Sequence, residues 1–367
     1  MKLYNTIGHR ISAIRKYRYK WVFFIALIWT VLDVLLWVRY MQMPFGSKYD
    51  SSFQILNPTA VILRICIEFY MSLVMGYLLV FRLKQMFRNY PLWANLILKT
   101  AILLLASILM NFLLHFSYSL VVLRVSLLQA LYNFLADSSL TPWFWNNNIA
   151  WMIIFVVTQI FIEINEKYSP GIFVDILLGK YIRPRIEKRI VMFLDLKDST
   201  PTAEKLGHPQ YFRFIRDFIY YVSTALLEYN GRIYQYVGDE IVVSWVYNEQ
   251  NIQKSLNALL EARKSLQKNA EKFKRRYGMT PEFRVGIHLG EVTVGEIGVL
   301  KRDLAMSGDT MNTAARIRTA CSELHQKFIV SKDFSDAIKL KNWQCESLGY
   351  IELKGKSAQI ELFSLKI

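Results

Sequence analysis

Cysteine is scarce. The chain has three in 367 residues, Cys66, Cys321 and Cys345, an odd number without metal-ligand spacing. Neither a disulfide framework nor a zinc site is indicated, and the second half of the chain is expected in a reducing compartment. Acid is short too: 29 Asp and Glu stand against 45 Lys and Arg, for a net charge of +16. The first twenty residues hold Lys2, Arg10, Arg15, Lys16, Arg18 and Lys20 and no acid at all. No small-residue cleavage site follows, so this stretch is not expected to be a removed signal peptide. A basic excess can mark a nucleic-acid partner, but Lys and Arg also collect on the cytoplasmic flanks of membrane spans. The charge is mainly of the second kind, and no nucleic-acid partner is expected.

Apolar residues are plentiful, 53% of the chain with 14% aromatic. They form four stretches long enough to cross a hydrocarbon core, residues 21–38, 60–81, about 92–114 and about 149–164. Trp143, Phe144 and Trp145 precede the fourth, an aromatic cluster of the kind found at membrane interfaces. Four spans return the chain to its starting side. Arg82, Lys84 and Arg88 lie between the second and third, whereas the other two connections carry little basic charge. The N-terminus, the 82–90 loop and the C-terminal half are accordingly expected in the cytoplasm. The resulting division is a basic N-terminus (1–20), a four-helix transmembrane domain (21–164), a linker (165–188) and a catalytic domain (189–367).

The spans contain Asp33, Arg64, Glu68 and Lys99, with His115 just past the third and Glu163 near the end of the fourth. Ionisable groups in lipid are functional candidates by default. Asp33 and Arg64 fall at similar depth, and Arg64 and Glu68 share a helix face. The alternatives are a buried pairing that fixes helix order and a ligand or proton sensor. In the linker, Pro170 breaks the fourth helix, residues 172–178 show helical spacing, and a basic run covers 180–189.

The second half is organised around two aspartates. Ile190 to Leu194 is a β-branched and aromatic run that reads as a buried strand, and Asp195 stands where polar residues begin. Asp239 follows Gly238 between two strand-like runs, a hairpin turn. If the strands are neighbours, the carboxylates can share two small hard cations, Mg²⁺ or Mn²⁺, since such ions take one or two protein carboxylates plus substrate phosphates. Each aspartate alone could equally be a turn residue, and Asp198, Ser199 and Thr200 could be only a helix N-cap. Backbone amides in the 196–200 turn could instead cradle phosphate at the start of a helix. Expected helices cover about 202–229, 251–277 and 309–322; expected strands include a hairpin over 232–247 and runs at 328–331, 350–353 and 360–365.

A glycine-spaced run from Phe283 to Gly298 and the helix-opening Ser307-Gly308-Asp309-Thr310-Met311-Asn312-Thr313-Ala314-Ala315-Arg316 complete a set of four short motifs in order. From Ser169 to the C-terminus the chain resembles the class III nucleotidyl cyclase catalytic domain. The fold expected is thus an α-helical membrane domain of four spans followed by an α+β cyclase domain, and the linker resembles the transducing element that precedes many such domains. The resemblance implies that Asp195, Asp239 and the Leu196 carbonyl hold two divalent cations. It implies further that Asn312 orients the ribose, that Arg316 stabilises the transition state, and that Lys356 contacts the terminal phosphates. Lys197, Asp198, Ser199 and Thr200 are expected to form the phosphate-binding turn. Family sites lie between two catalytic domains, so one chain with both halves implies a twofold homodimer.

The base-selecting positions depart from the family. Gln235 stands where many adenylate enzymes carry lysine and guanylate enzymes glutamate, and Ala305 where adenylate enzymes carry aspartate or threonine. Asp198 and Ser199 replace the small and aromatic pair common after the first metal aspartate. ATP is favoured on family frequency. Guanylate or pyrimidine cyclase activity, and a catalytically silent nucleotide-binding signalling module, are the alternatives.

Overall fold

The computed structural model describes residues 13–41, 58–83, 86–87, 90–132, 134–135, 142–167, 171–300, 303–338, 344–353 and 359–366. Two compact units part between Lys167 and Tyr168.

The first unit is helical. It comprises α1 (Ala13–Met41), α2 (Pro58–Tyr77) with a π-helical continuation (Leu78–Leu83), α3 (Leu92–Val121), the short α4 (Leu127–Tyr132) and α5 (Pro142–Lys167). Four of these helices are long and apolar enough to cross a membrane. Each is longer than the apolar run that announced it, because backbone hydrogen bonding continues past the point where apolar residues give out. Trp29, Leu103, Met110, Trp151 and Phe155 fill the interior, while Ile62, Leu105 and Val157 face outward.

Several polar residues inside this unit are partnered, most of them across helices. The Arg64 guanidinium donates to both Asp33 oxygens at 2.8 and 3.0 Å and lies 5.1 Å from the Trp37 ring. The buried pairing of Asp33 with Arg64 is therefore present, in bidentate form. Glu68, one turn on, accepts from the Ser72 hydroxyl at 3.1 Å, and Lys99 pairs with Glu163 at 3.0 Å. Between α3 and α5, Asn147 donates to Asn111, Ser107 to Asn148 and Gln159 to Thr100. Such bonds fix helix order where apolar contact alone discriminates poorly.

The second unit is α+β. After α6 (Ile172–Leu177) it contains β1 (Arg185–Leu196), α7 (Ser199–Leu206), α8 (His208–Glu228), β2 (Arg232–Val237), β3 (Glu240–Val246), α9 (Glu249–Lys268), α10 (Ala270–Tyr277) and β4 (Phe283–Ile297). It continues with β5 (Asp303–Ser307), α11 (Asp309–Glu323), β6 (Phe328–Ser331), α12 (Lys332–Ile338), β7 (Cys345–Ile351) and β8 (Ile360–Leu365). The eight strands make one mixed sheet in the order β2-β3-β1-β4-β6-β8-β7, with β5 paired to β4. Among the described strands only β4 and β6 run parallel.

Three expectations need correction. The helix expected over 202–229 is two, α7 and α8, broken at Gly207, whose φ of +70° suits glycine and whose following His208-Pro209 restarts the helix. The helix expected over 251–277 is also two, because Asn269 turns its side chain back onto the Ser265 carbonyl at 2.8 Å between α9 and α10. The first catalytic strand begins at Arg185, inside the basic run, since its pairing with Val294 of β4 extends it beyond the apolar residues.

Alternation along β1 decides where the chemistry sits. Ile190, Met192, Leu194 and Leu196 point to one face and pack with Phe214, Phe218 and Val222 of α8 and Leu256 and Leu259 of α9. Val191 and Phe193 point to the other, against Met311 and Ala314 of α11. Side chains two apart share a face, so Asp195 belongs to the α11 side. Burying Phe214 and Phe218 alone supplies roughly 1.5–3 kcal/mol each.

Candidate active site

Asp195 lies one residue before the end of β1, and Asp239 lies in the turn between β2 and β3. β1 and β3 are antiparallel neighbours with Leu194 opposite Ile241, which brings Asp195 beside Glu240 and the adjoining Asp239. The Asp195 and Asp239 carboxyls are within hydrogen-bonding reach of each other. Burial, with Asp239 and Glu240 close by, pushes the Asp195 carboxyl up to about 6 despite the opposing pull of Arg318. Burial raises Glu240 as well. Asp239 Oδ2 is buried without a hydrogen-bond partner among the described residues.

The cation that meets these acids within the chain is Arg318. Its Nη1 is 3.5 Å from Asp195 Oδ2 and its Nη2 is 2.6 Å from Glu240 Oε2. The approach is permitted by Gly286 of β4, which pairs with Phe193: a Cβ there would fall 2.3 Å from the Arg318 backbone nitrogen and 2.7 Å from the Ala314 carbonyl. No side chain fits in that space, so the residue must be glycine for α11 to lie this close to the sheet.

The donor set fits a divalent cation. Three carboxylates face one guanidinium, which leaves negative charge in a half-buried place and one aspartate oxygen with nothing bound to it. Among the described residues no three His, Cys, Asp or Glu side chains form a self-sufficient metal cage. Two aspartates completed by oxygens from elsewhere are the arrangement that small hard cations accept.

The turn after Asp195 follows the same logic. Asp198 has a left-handed backbone, φ +55°, and makes no side-chain cap bond to α7. Its carboxylate lies instead 3.7 Å from Arg284 and 3.8 Å from Lys197. The first amides of α7 are thus left for another acceptor, with the partial positive end of the helix behind them. Lys197 is engaged by Glu282 at 3.2 Å, and Ser199 hydrogen-bonds the Tyr211 hydroxyl, which burial raises.

Residues 183–366, half of the chain, match the family described as Adenylate and Guanylate cyclase catalytic domain. The chain belongs to that family. Among its relatives are adenylate cyclase 2 of Rhizobium meliloti (strain 1021), 29% identical over 215 residues that make up 58% of each chain, and an adenylate cyclase of Anabaena cylindrica, 24% identical over 219 residues, 55% of this chain and 42% of that one. The matched region thus spans about half the length of these curated relatives. A bacterial light-regulated adenylyl cyclase of known structure shares the fold, with TM-score 0.51 and 17% identity over 58% of this chain and 62% of its own.

Within this cyclase domain the expected residues fall into two groups. Asp195, Leu196, Asp239 and the 197–200 turn gather at one end of β1. Asn312 and Arg316 do not join them. Asn312 is exposed on α11, Arg316 is half-buried, and neither has an ion pair or side-chain hydrogen bond among the described residues. Gln235 is exposed on β2 and Ala305 half-buried on β5. Their strands meet one residue away from each, where the Tyr234 hydroxyl accepts from the Met306 amide at 3.3 Å. Tyr234 can do so because β2 bulges between Ile233 and Gln235. Lys356 lies outside the described residues. Glu240, Arg318 and Tyr211 were not anticipated. Counting strand parity from Asp195 would have put Glu240 on the same face, but nothing in the sequence separates Arg318 from a solvated helix charge.

Proposed function

We propose that the protein is a membrane-bound adenylate cyclase that converts ATP to 3′,5′-cyclic AMP and pyrophosphate, with two Mg²⁺ or Mn²⁺ ions, at composite sites of a homodimer. The observation that carries this reading is the meeting of Asp195 and Asp239 with uncompensated charge and an unpartnered oxygen. The 3′-oxygen attacks the α-phosphorus, the bond to pyrophosphate breaks, and the hydroxyl proton leaves. Divalent cations held by the two aspartates would supply the lowered hydroxyl pKa and the neutralisation of the triphosphate.

The chain's own groups account for the rest. The uncapped amides at the start of α7 receive phosphate oxygens. Asn312 and Arg316, one helical turn apart, act on one ligand, the asparagine on the ribose and the arginine on charge developing at phosphorus. That Arg318 and not Arg316 reaches Asp195 supports a site shared between subunits, where Asn312 and Arg316 act on the nucleotide held at the partner's aspartates. Tyr236 and Val237 beside the Asp239 turn, and Val299 and Leu300 after β4, are apolar and exposed, as surfaces covered by a second copy would be. Relatives named adenylate cyclase favour ATP. Gln235 can donate and accept and could read adenine, guanine or a pyrimidine, so the preference for ATP does not rest on it. The four apolar helices anchor the chain, with the N-terminus and cyclase domain on the cytoplasmic side.

The test is product identification by mass spectrometry from the purified full chain, given ATP, GTP, CTP and UTP separately with Mg²⁺ or Mn²⁺. Cyclic AMP from ATP, absent in Asp239→Ala, is the expected result. Product from another nucleotide alone would overturn the base assignment, and nucleotide binding without product would favour a silent module.

A further inference from the structure

The contact between Arg318 and the metal carboxylates is unlike a fixed structural ion pair. The guanidinium comes closest to Glu240, at 2.6 Å but poorly aligned for a hydrogen bond, its bond to Asp195 is stretched to 3.5 Å, and its buried Nε has no hydrogen-bond acceptor among the described residues. A fork-shaped donor with five N–H groups normally uses them better when its position is settled. The three side chains are also unequally covered: Glu240 is 13% exposed, Asp195 21% and Arg318 28%. The end of the contact that is nearer solvent and longer is the one on Asp195.

We infer that Arg318 is an internal counter-ion that holds Asp195 while no metal is bound, and that cations enter the site by displacing it. This rests on the assignment of Asp195 and Asp239 as metal carboxylates. In the metal-free protein the guanidinium prevents Asp195, Asp239 and Glu240 from standing as three half-buried like charges with no counter-ion. When a cation arrives, the interaction of Arg318 with Asp195 changes from attraction that is needed to competition that is not, because both positive charges seek the same oxygen. Arg318 lets go of Asp195 and stays on Glu240, so the helix that carries it, α11, need not move. Arg318 is in this sense a positioning residue: it keeps the two aspartates near each other without metal and sets how strongly metal binds.

The experiment measures Mn²⁺ affinity directly, by electron paramagnetic resonance of free Mn²⁺ over the detergent-solubilised full chain, alongside the melting temperature in chelator. Arg318→Gln should bind Mn²⁺ more tightly, on the order of tenfold, because a competing charge at contact distance has gone. In chelator the same variant should melt lower than wild type, and Mn²⁺ should restore more of its stability than it adds to wild type. Arg318→Lys, which keeps the charge on a shorter reach, should fall between the two, and it serves if the glutamine variant does not accumulate. A lower melting temperature with unchanged Mn²⁺ affinity in both variants would make Arg318 purely structural and overturn the inference. Weaker Mn²⁺ binding in both would overturn it too, by making Arg318 a helper of the site. Failure of wild type itself to bind Mn²⁺, with or without nucleotide, would overturn the metal-site assignment and this inference together.

Discussion

Asp195→Asn should stabilise the metal-free protein while abolishing its activity. The wild-type carboxyl is raised from its ordinary 3.8 to about 6, chiefly by burial and then by its acidic neighbours. A group raised in the folded state binds its proton more tightly there than in the unfolded chain. Its stabilisation is therefore complete below about pH 4 and is lost as pH rises through 6. At pH 8 the folded protein carries an ionised Asp195 at a penalty of up to about 3 kcal/mol, from roughly 1.4 kcal/mol per pKa unit. Partial exposure to solvent brings this to about 1–2 kcal/mol. Asparagine keeps the shape and omits the charge, so the cyclase unit should melt about 2–6 °C higher than wild type at pH 8 in chelator. The two should converge near pH 4. Scanning calorimetry across pH 4–8 reads this directly, and Mn²⁺ should stabilise wild type but not the variant. If Asp195→Asn melts lower at pH 8 in chelator, the Arg318 contact outweighs burial and crowding, and the electrostatic account of the site is wrong.

Gly286→Ala should cost about 2–4 kcal/mol, because its methyl would overlap the backbone of α11 and not a side chain that can turn aside; the readouts are melting temperature and loss of activity together. Asp195→Ala and Arg316→Ala, each inactive alone, should recover roughly a quarter of wild-type activity when co-expressed at equal levels, since half the dimers are mixed and each has one intact site. No recovery, with mixed dimers confirmed, would refute the shared site. In the helical unit, removing either Asp33 or Arg64 should cost about 3–5 kcal/mol by leaving a buried charge unpaired. The reciprocal swap should restore assembly, measured by detergent-resistant folding, and its failure would mean that the pair does more than match charge.

The sequence made the four long helices and the two aspartates legible because each has a local signature: an apolar run of sufficient length, and a carboxylate placed where a strand ends or turns. The α11 motif was legible in the same way. Helix continuity was not, although Gly207-His208-Pro209 carries both stop and restart signals; the periodicity on either side is strong enough to hide a break of one residue. Arg318 was out of reach for a different reason. Its neighbours Ala314, Ile317, Ala320 and Cys321 mark the buried face of the helix, and Arg318 sits at the border of that face. Whether a border residue meets water or a carboxylate depends on how near the helix approaches the sheet, and that is decided by a glycine more than thirty positions away. The Asp33 pairing was open between two readings until the distance between helices was known.

β1 runs twelve residues without interruption from Arg185 to Leu196 and is hydrogen-bonded along β4 for its whole length, with β3 joining from Arg189 on. At about 3.3 Å per residue it is a rod of roughly 35 Å with the linker at one end and Asp195 near the other. A rod clamped on both sides cannot slide by one position, because that would turn Val191 and Phe193 out of one packed layer and into the other. It cannot bend locally without breaking two ladders. A push or twist at Arg185 is therefore passed on as movement of the sheet as a whole, and Asp195 moves together with Glu240, which the same ladder carries. Through such a movement the spacing between the acids within the sheet stays as it was.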